Sequence, residues 1–175
     1  RMDEAEMIQV DIHEGIDSTL MILENRIKAK SEYPTVEIIK DYGNLPQVEC
    51  YPGQLNQVFM NILANALDAL EESVELEKTI NSNPQIHICT QLAQLSKVKI
   101  HIVDNGTGIS RRYKRKIIRP FFTTKPVSRG TGMGLSISYQ IVTERHGGSI
   151  ECISQFGEGS EFIITIPLHQ QQNPV

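Results

Sequence analysis

Gln57, Asn61, Asn65 and Asp68 follow one another at spacings of four, four and three residues, which on a helix sets their side chains along one line. The amide oxygens of Asn61 and Asn65 are hard donors that suit Mg²⁺, an ion that keeps several waters and shares its shell with substrate phosphates. A polar stripe is also what any solvated helix face presents. A second group is D-N-G-T-G-I, Asp104 to Ile109. An ionised Asp104 only accepts hydrogen bonds and suits an exocyclic amine such as that of adenine, while Gly106 and Gly108 let a planar ring approach the backbone. The same letters also spell an ordinary turn with a capping aspartate.

A third group, G-T-G-M-G-L, Gly130 to Leu135, opens a predicted helix. Closely spaced glycines expose consecutive backbone N–H groups, and the helix amino terminus adds partial positive charge, so a phosphate chain is the natural guest. The run lacks the Lys-Ser/Thr ending of a Walker loop, and its glycine spacing is not that of the dinucleotide fingerprint. Between the two glycine runs lie Arg111, Arg112, Lys114, Arg115, Lys116, Arg119, Lys125 and Arg129 without an acidic residue. Such a segment attracts a triphosphate, and its P-F-F-T-T-K-P adds the hydroxyls of Thr123 and Thr124 and the ammonium of Lys125. A solvated basic loop, or one that docks an acidic partner, has the same composition.

These groups need elements to hold them. Leu55, Val58, Phe59, Ile62, Leu63, Ala66, Ala69 and Leu70 fall within an arc of roughly 140° and predict one long helix over residues 53–75, with the polar stripe beside its apolar one. Met7, Val10, Ile16, Leu20, Leu23 and Ile27 predict one or two earlier helices over residues 7–29. Strands are expected at 35–42, 47–51, 85–92, 98–104, 149–154 and 160–167, with 85–92 and 98–104 as a hairpin. A helix is expected over 133–146, stopped by Gly147-Gly148.

At 175 residues the chain fits one domain. A net charge of -4 argues against nucleic acid as the main partner. Cys50, Cys89 and Cys152 form neither a disulfide framework nor a zinc pattern, which points to a reducing, cytoplasmic setting. No apolar run approaches the roughly 18 to 20 residues that cross a bilayer, so no direct membrane insertion is expected.

The order of the motifs resembles the catalytic ATP-binding domain of two-component sensor histidine kinases over residues 11–168. Gln57 to Ala69 matches the N box, Asp104 to Gly108 the first glycine box, Pro120 to Phe122 the F box and Gly130 to Leu135 the second glycine box. The resemblance implies a two-layer α/β sandwich of the Bergerat type, a mixed β-sheet packed on helices with a lid over ATP. Its cofactors are ATP and Mg²⁺. By resemblance Asn65 is the Mg²⁺ ligand, with Asn61 and Asp68 beside it at the nucleotide, and Asp104 binds the adenine amine. Gly106, Gly108 and Ile109 shape the pocket, Gly130, Thr131, Gly132, Met133, Gly134 and Leu135 face the phosphates, and Thr123, Thr124 and Lys125 come from the lid. Asn61, Asn65 and Lys125 are the expected catalytic set.

Related ATPases place a glutamate where Asn61 stands, and an amide cannot act as general base for water, so transfer to another nucleophile is favoured over hydrolysis. Two positions depart from the family. Asp68 stands where many members have a basic residue, and Arg119 where an acidic one often precedes the Pro-Phe of the F box. His13 lacks the proline setting of a phosphorylated histidine and reads as a helix-surface residue, and His87, His101, His146 and His169 read as structural. The expected partners are therefore a dimerisation and histidine-phosphotransfer domain of a homodimeric parent, and a response regulator receiver domain downstream. Residues 1–10 are expected to be a helical extension from the dimerisation hairpin, and 169–175 a disordered tail. The competing readings are a nucleotide-binding regulatory interaction module and a related ATPase or serine kinase.

Overall fold

The computed structural model describes residues 6–29, 33–75, 83–94, 96–108, 133–155 and 157–170. Strand β1 (Ile8–Val10) leads to helix α1 (Ile12–Ile22), α2 (Glu24–Ile27), β2 (Glu37–Tyr42) and β3 (Val48–Cys50). Helix α3 (Pro52–Glu75) precedes β4 (Gln85–Ala93) and β5 (Lys97–Asp104), and α4 (Met133–Gln140) runs into a π-helical turn (Ile141–Arg145) before β6 (Ser149–Gln155) and β7 (Gly159–Pro167). Five strands form one mixed sheet in the order β2-β4-β5-β7-β6, with β2 and β4 parallel and the other pairs antiparallel. The expected sandwich of a mixed sheet on helices is thus present.

Strand periodicity decides which layer is the core. Ile86 and Ile88 of β4, Val98, Ile100 and Ile102 of β5, and Phe162, Ile164 and Ile166 of β7 alternate inward and are buried. They meet the apolar stripe of α3, where Leu55, Val58, Phe59, Ile62, Leu63, Ala66, Leu67 and Leu70 are all buried. Continuing the same alternation makes Asp104 the next inward position after Ile102. Register sets it opposite Ile86 on one side and Ser160 on the other, so a carboxyl stands at the end of an apolar row.

Three expectations change. Residues 8–10 are not helical: β1 pairs antiparallel with β3, Ile8 opposite Cys50 and Val10 opposite Val48. Three residues gain a ladder from a strand some forty positions away, a tertiary gain that outweighs local periodicity. Asp11 then caps α1, its side chain accepting from the His13 backbone N at 2.9 Å. The tail also begins later than expected, because Gln170 N donates to Glu49 Oε1 at 3.1 Å and its side-chain amide to the carbonyls of Glu49 and Pro167. Finally, His13 is not a free surface group. Its Nε2 lies 2.7 Å from Thr90 Oγ1 and its ring stacks on Tyr42 at 4.2 Å, tying α1 to the sheet.

His146 ties the second half of the chain to the first. It is 0% exposed, its Nδ1 faces the Ile141 carbonyl at 2.8 Å, and its Nε2 faces the Tyr51 backbone N at 3.1 Å. An N–H donor at Tyr51 requires an acceptor, so Nε2 is bare and Nδ1 carries the proton: the ring is neutral. Burial holds its pKa below the ordinary value of 6.5, and neighbouring Arg145 pushes the same way while the Ile141 carbonyl opposes. Because the folded pKa is depressed, the stability this histidine contributes is present above pH 6.5 and is lost as pH falls through the folded value. Urea titrations are expected to show His146→Ala destabilised by about 2–3 kcal/mol at pH 7.5, with a shallower loss of stability than wild type between pH 6.5 and 5.

Candidate functional site

Helix α3 brings two ends of the site together. At the first, Asn61 Nδ2 donates to the Gly134 carbonyl at 2.9 Å and to Ser138 Oγ at 3.1 Å, and Ser138 Oγ in turn donates to the Gly134 carbonyl at 2.8 Å. The N–H₂ of Asn61 is thus committed to the start of α4. A Cβ on Gly134 would lie 3.4 Å from the Asn61 amide carbon, an ordinary van der Waals contact, so this approach of α4 does not itself require a glycine. Leu135 follows, half-buried against the core.

At the second end, Gly106 lies against Ala69. A Cβ there would come within 2.8 Å of the Ala69 carbonyl, backbone that cannot move aside, so only glycine fits. Gly108 has φ +72°, a left-handed conformation that glycine adopts without strain. Asn105 fixes this loop to the sheet, its Oδ1 accepting from Gln85 N at 2.8 Å and its Nδ2 donating to the Asn83 carbonyl at 3.0 Å.

Asp104 lies between these anchors with 5% of its surface exposed. Gly106 N donates to its Oδ1 at 2.9 Å, and the Ser160 backbone N–H also donates to the carboxylate. Burial pushes its pKa up to about 7, against those two N–H groups that favour the charge. The turn between β6 and β7 closes the surround. Gly157 N donates to the Thr107 carbonyl at 2.6 Å, and Gly159, at φ +116°, packs so tightly on the Asp104 carbonyl that a side chain would overlap it. A buried acceptor-only carboxylate beside glycine-thinned backbone is what an amine-bearing planar ring requires.

The fold therefore brings Asn61 to Gly134 and Leu135, and Ala69 to Gly106 and Asp104, along one helix. Asn65 lies on the same stripe between the two ends. Asp68 is engaged elsewhere, with Arg26 of α2 2.6 Å from its Oδ1. Met133 opens α4, while Ile109, Thr123, Thr124, Lys125, Gly130, Thr131 and Gly132 lie outside the described residues. Ser138, Ser160, Gly157, Gly159 and Arg26 were not anticipated. Ser138 had a signal in its spacing of four from Gly134, and F-G-E-G-S had one in its paired glycines. Arg26 had none, because its partners are more than forty positions away. Among the described residues no group of three or more His, Cys, Asp or Glu could hold a metal.

Comparison with known proteins agrees with this geometry. The model of the histidine kinase-, DNA gyrase B- and HSP90-like ATPase family matches residues 50–170. Sporulation kinase E of Bacillus subtilis (strain 168) is 34% identical over 82% of the chain, which covers 18% of that protein. The signal transduction histidine-protein kinase AtoS of Escherichia coli (strain K12) is 33% identical over 94% of the chain and 24% of its own length. The nucleotide-free catalytic domain of histidine kinase ThkA superposes with a TM-score of 0.75 at 30% identity, over 93% of this chain and 98% of that one. The chain belongs to the histidine kinase-, DNA gyrase B- and HSP90-like ATPase family. Within that family it is a catalytic domain of the sensor histidine kinase type, spanning about a fifth of the length of these curated relatives.

The pKa of Asp104 sets opposite trends for binding and stability. Its folded value lies above the unfolded one, so the stability it contributes is present below pH 4 and is lost as pH rises through about 7. A hydrogen bond accepted from a ligand amine would favour the ionised form and so would run the other way. Adenosine affinity, free of phosphate titration, is expected to fall about tenfold between pH 8 and pH 6. Asp104→Asn is expected to bind weakly at both pH values and to melt higher than wild type at pH 8.

Proposed function

We propose that this domain binds Mg-ATP and presents its terminal phosphate to a histidine carried on the dimerisation domain of a longer, homodimeric kinase. The observation that carries this reading is the buried Asp104 carboxylate at the base end of α3, about 10 Å along the helix from the Asn61–Gly134 contact at the phosphate end. Asp104 accepts from the adenine amine beside the glycine-thinned backbone of Gly106 and Gly108. The start of α4 beside Asn61 receives the phosphates on its backbone N–H groups. Thr123, Thr124 and Lys125 are assigned to the lid that closes on the terminal phosphate.

Asn65, with Asn61 beside it, would hold Mg²⁺, which supplies charge neutralisation to the phosphates when bound. An oxygen-only donor set of one or two amides suits that ion, whose remaining positions are filled by phosphate and water. In the transfer itself a histidine ring nitrogen forms the new N–P bond as the bond from the γ-phosphorus to the bridging oxygen breaks, and ADP leaves. The proton of the attacking imidazole passes to a base on the acceptor's domain. Asn61, held by Gly134 and Ser138, positions and cannot accept a proton from water, which favours transfer over hydrolysis.

Downstream, the phosphoryl group would pass to a response regulator receiver domain. ThkA, solved in complex with the response regulator protein TrrA, has 26% identity to this chain and a TM-score of 0.71, which supports that assignment. Among the described residues no helix is long and apolar enough to cross a membrane. The cysteines Cys50, Cys89 and Cys152 form no disulfide, in keeping with a reducing, cytoplasmic setting for the domain.

Titration calorimetry with ATP, with and without Mg²⁺, tests the reading. Wild type is expected to bind with Mg²⁺ dependence, Asp104→Ala to lose binding by a hundredfold or more on the order of one buried charged hydrogen bond, and Asn65→Ala to lose the Mg²⁺ dependence. Absence of binding by wild type at millimolar ATP would overturn it.

A further inference from the structure

Asn61, Gly134 and Ser138 form a closed triangle between α3 and α4 in which each donor can be assigned. Asn61 Nδ2 lies 2.9 Å from the Gly134 carbonyl and 3.1 Å from Ser138 Oγ, and Ser138 Oγ lies 2.8 Å from the same carbonyl. A carbonyl only accepts, so the Asn61 atom beside it must be the N–H₂ and not the oxygen. The Ser138 hydroxyl has one proton, and it donates it to the carbonyl four residues back, as helical serines do. It must then accept from Asn61. Both hydrogens of the amide are thereby used inside the protein.

The consequence falls on the remaining atom of the amide. Among the described residues none donates to Asn61 Oδ1, yet the atom is not one of the buried atoms left without a partner, so it reaches solvent. It does so beside the first turn of α4, 3.5 Å from where a Cβ on Gly134 would stand. Ser138, by contrast, is 0% exposed and is closed off from any ligand. With the carbonyl alone, the amide could pivot about a single hydrogen bond; the hydroxyl is the second point that fixes its plane. Position 61 therefore offers an acceptor and no donor, which suits a hard cation and not a phosphate oxygen.

We propose that Ser138 is a positioning residue of the nucleotide site: from inside the contact between α3 and α4 it holds the Asn61 amide with its oxygen outward, so that the gain in ATP affinity brought by Mg²⁺ depends on a hydroxyl that reaches neither. The inference rests on the nucleotide-binding reading above and adds to it the reason that position 61 acts as an acceptor. Gly106 lies against Ala69, about two turns farther along α3, so binding of the bare nucleoside is insulated from a change at Ser138.

Calorimetry of adenosine, ATP with EDTA and ATP with Mg²⁺ tests it on wild type, Ser138→Ala, Ser138→Thr and Ser138→Val, with circular dichroism melts to confirm folding. Ser138→Ala is expected to cut the Mg²⁺-dependent gain in ATP affinity about three- to tenfold, the scale of one neutral hydrogen bond, and to leave adenosine and metal-free ATP unchanged. Ser138→Thr keeps the hydroxyl and its bond to the carbonyl four residues back, and is expected to keep the gain. Ser138→Val has the shape of Ser138→Thr without the hydroxyl and is expected to behave as Ser138→Ala. In ¹H–¹⁵N spectra of the ligand-free domain, one of the two Asn61 side-chain amide protons is expected to move upfield in Ser138→Ala while the other stays. Equal losses for all three ligands would make Ser138 a packing residue and overturn the proposal, as would an unmoved pair of amide protons. If either branched variant failed to fold, the comparison of wild type with Ser138→Ala would decide alone. If wild type bound neither adenosine nor ATP, the nucleotide reading would fail and this inference with it; if wild type showed the Mg²⁺ gain and Ser138→Ala kept it in full, only the role of Ser138 would.

Discussion

A carboxylate inside a protein is tolerated only when hydrogen bonds hold it, and Asp104 is the group around which this domain is arranged. Strand alternation drives it inward after Val98, Ile100 and Ile102, so the sheet's own periodicity creates the problem. The answer is local backbone. Gly106 N and Ser160 N both point at the carboxylate, and each depends on a glycine-specific approach, Gly106 against Ala69 and Gly159 against the Asp104 carbonyl. Asn105 and Gly157 then pin the loop and the turn that present these donors. Two backbone donors leave the pKa near 7 and not near 4. The site is thus held part-way between acid and anion, a state that a third donor, such as a ligand amine, shifts toward the anion.

Helix α3 connects that group to everything else. One face supplies the core, another carries Asn61, Asn65 and Asp68, and a third meets α1. Twenty-four residues without a proline past its first position or a glycine past its second give a rod stiff enough to hold the two ends of a ligand site at fixed separation. Its start is secured by His146, whose neutral ring accepts from Tyr51 N immediately before Pro52. That histidine ends the π-helical turn following α4, so α4 and the helix that carries the amides share one buried anchor.

What the sequence discloses divides along the range of the interactions. The long helix, the hairpin of β4 and β5, and the inward face of each strand follow from periodicities of 3.6 and 2, so they could be read without a partner in view. Asn61, Asp104, Gly106 and Gly134 were legible because their types and order carry their chemistry. Strand β1 was not, since three residues become a strand only through Val48 to Cys50. The parallel pairing of β2 with β4 depends on a crossover through α3 that no local pattern announces. Position 68 shows the limit most plainly. Its identity as an acid was visible, whereas its partner at Arg26 depends on how α2 folds back over α3.

The same division bears on where stability and function separate. The groups that need special surroundings, a buried carboxylate and positive-φ glycines at 108 and 159, gather where the carboxyl end of β5 meets the turn between β6 and β7. The inner faces of β4, β5 and β7 over α3 are, apart from Thr90, Asp104 and Ser160, apolar and closely packed. A sheet packed in this way has stability to offset the burial of one carboxylate. Arg26 belongs to neither class by sequence: it ties α2 to α3 through Asp68 and Glu71, and its place is set by how the two helices pack.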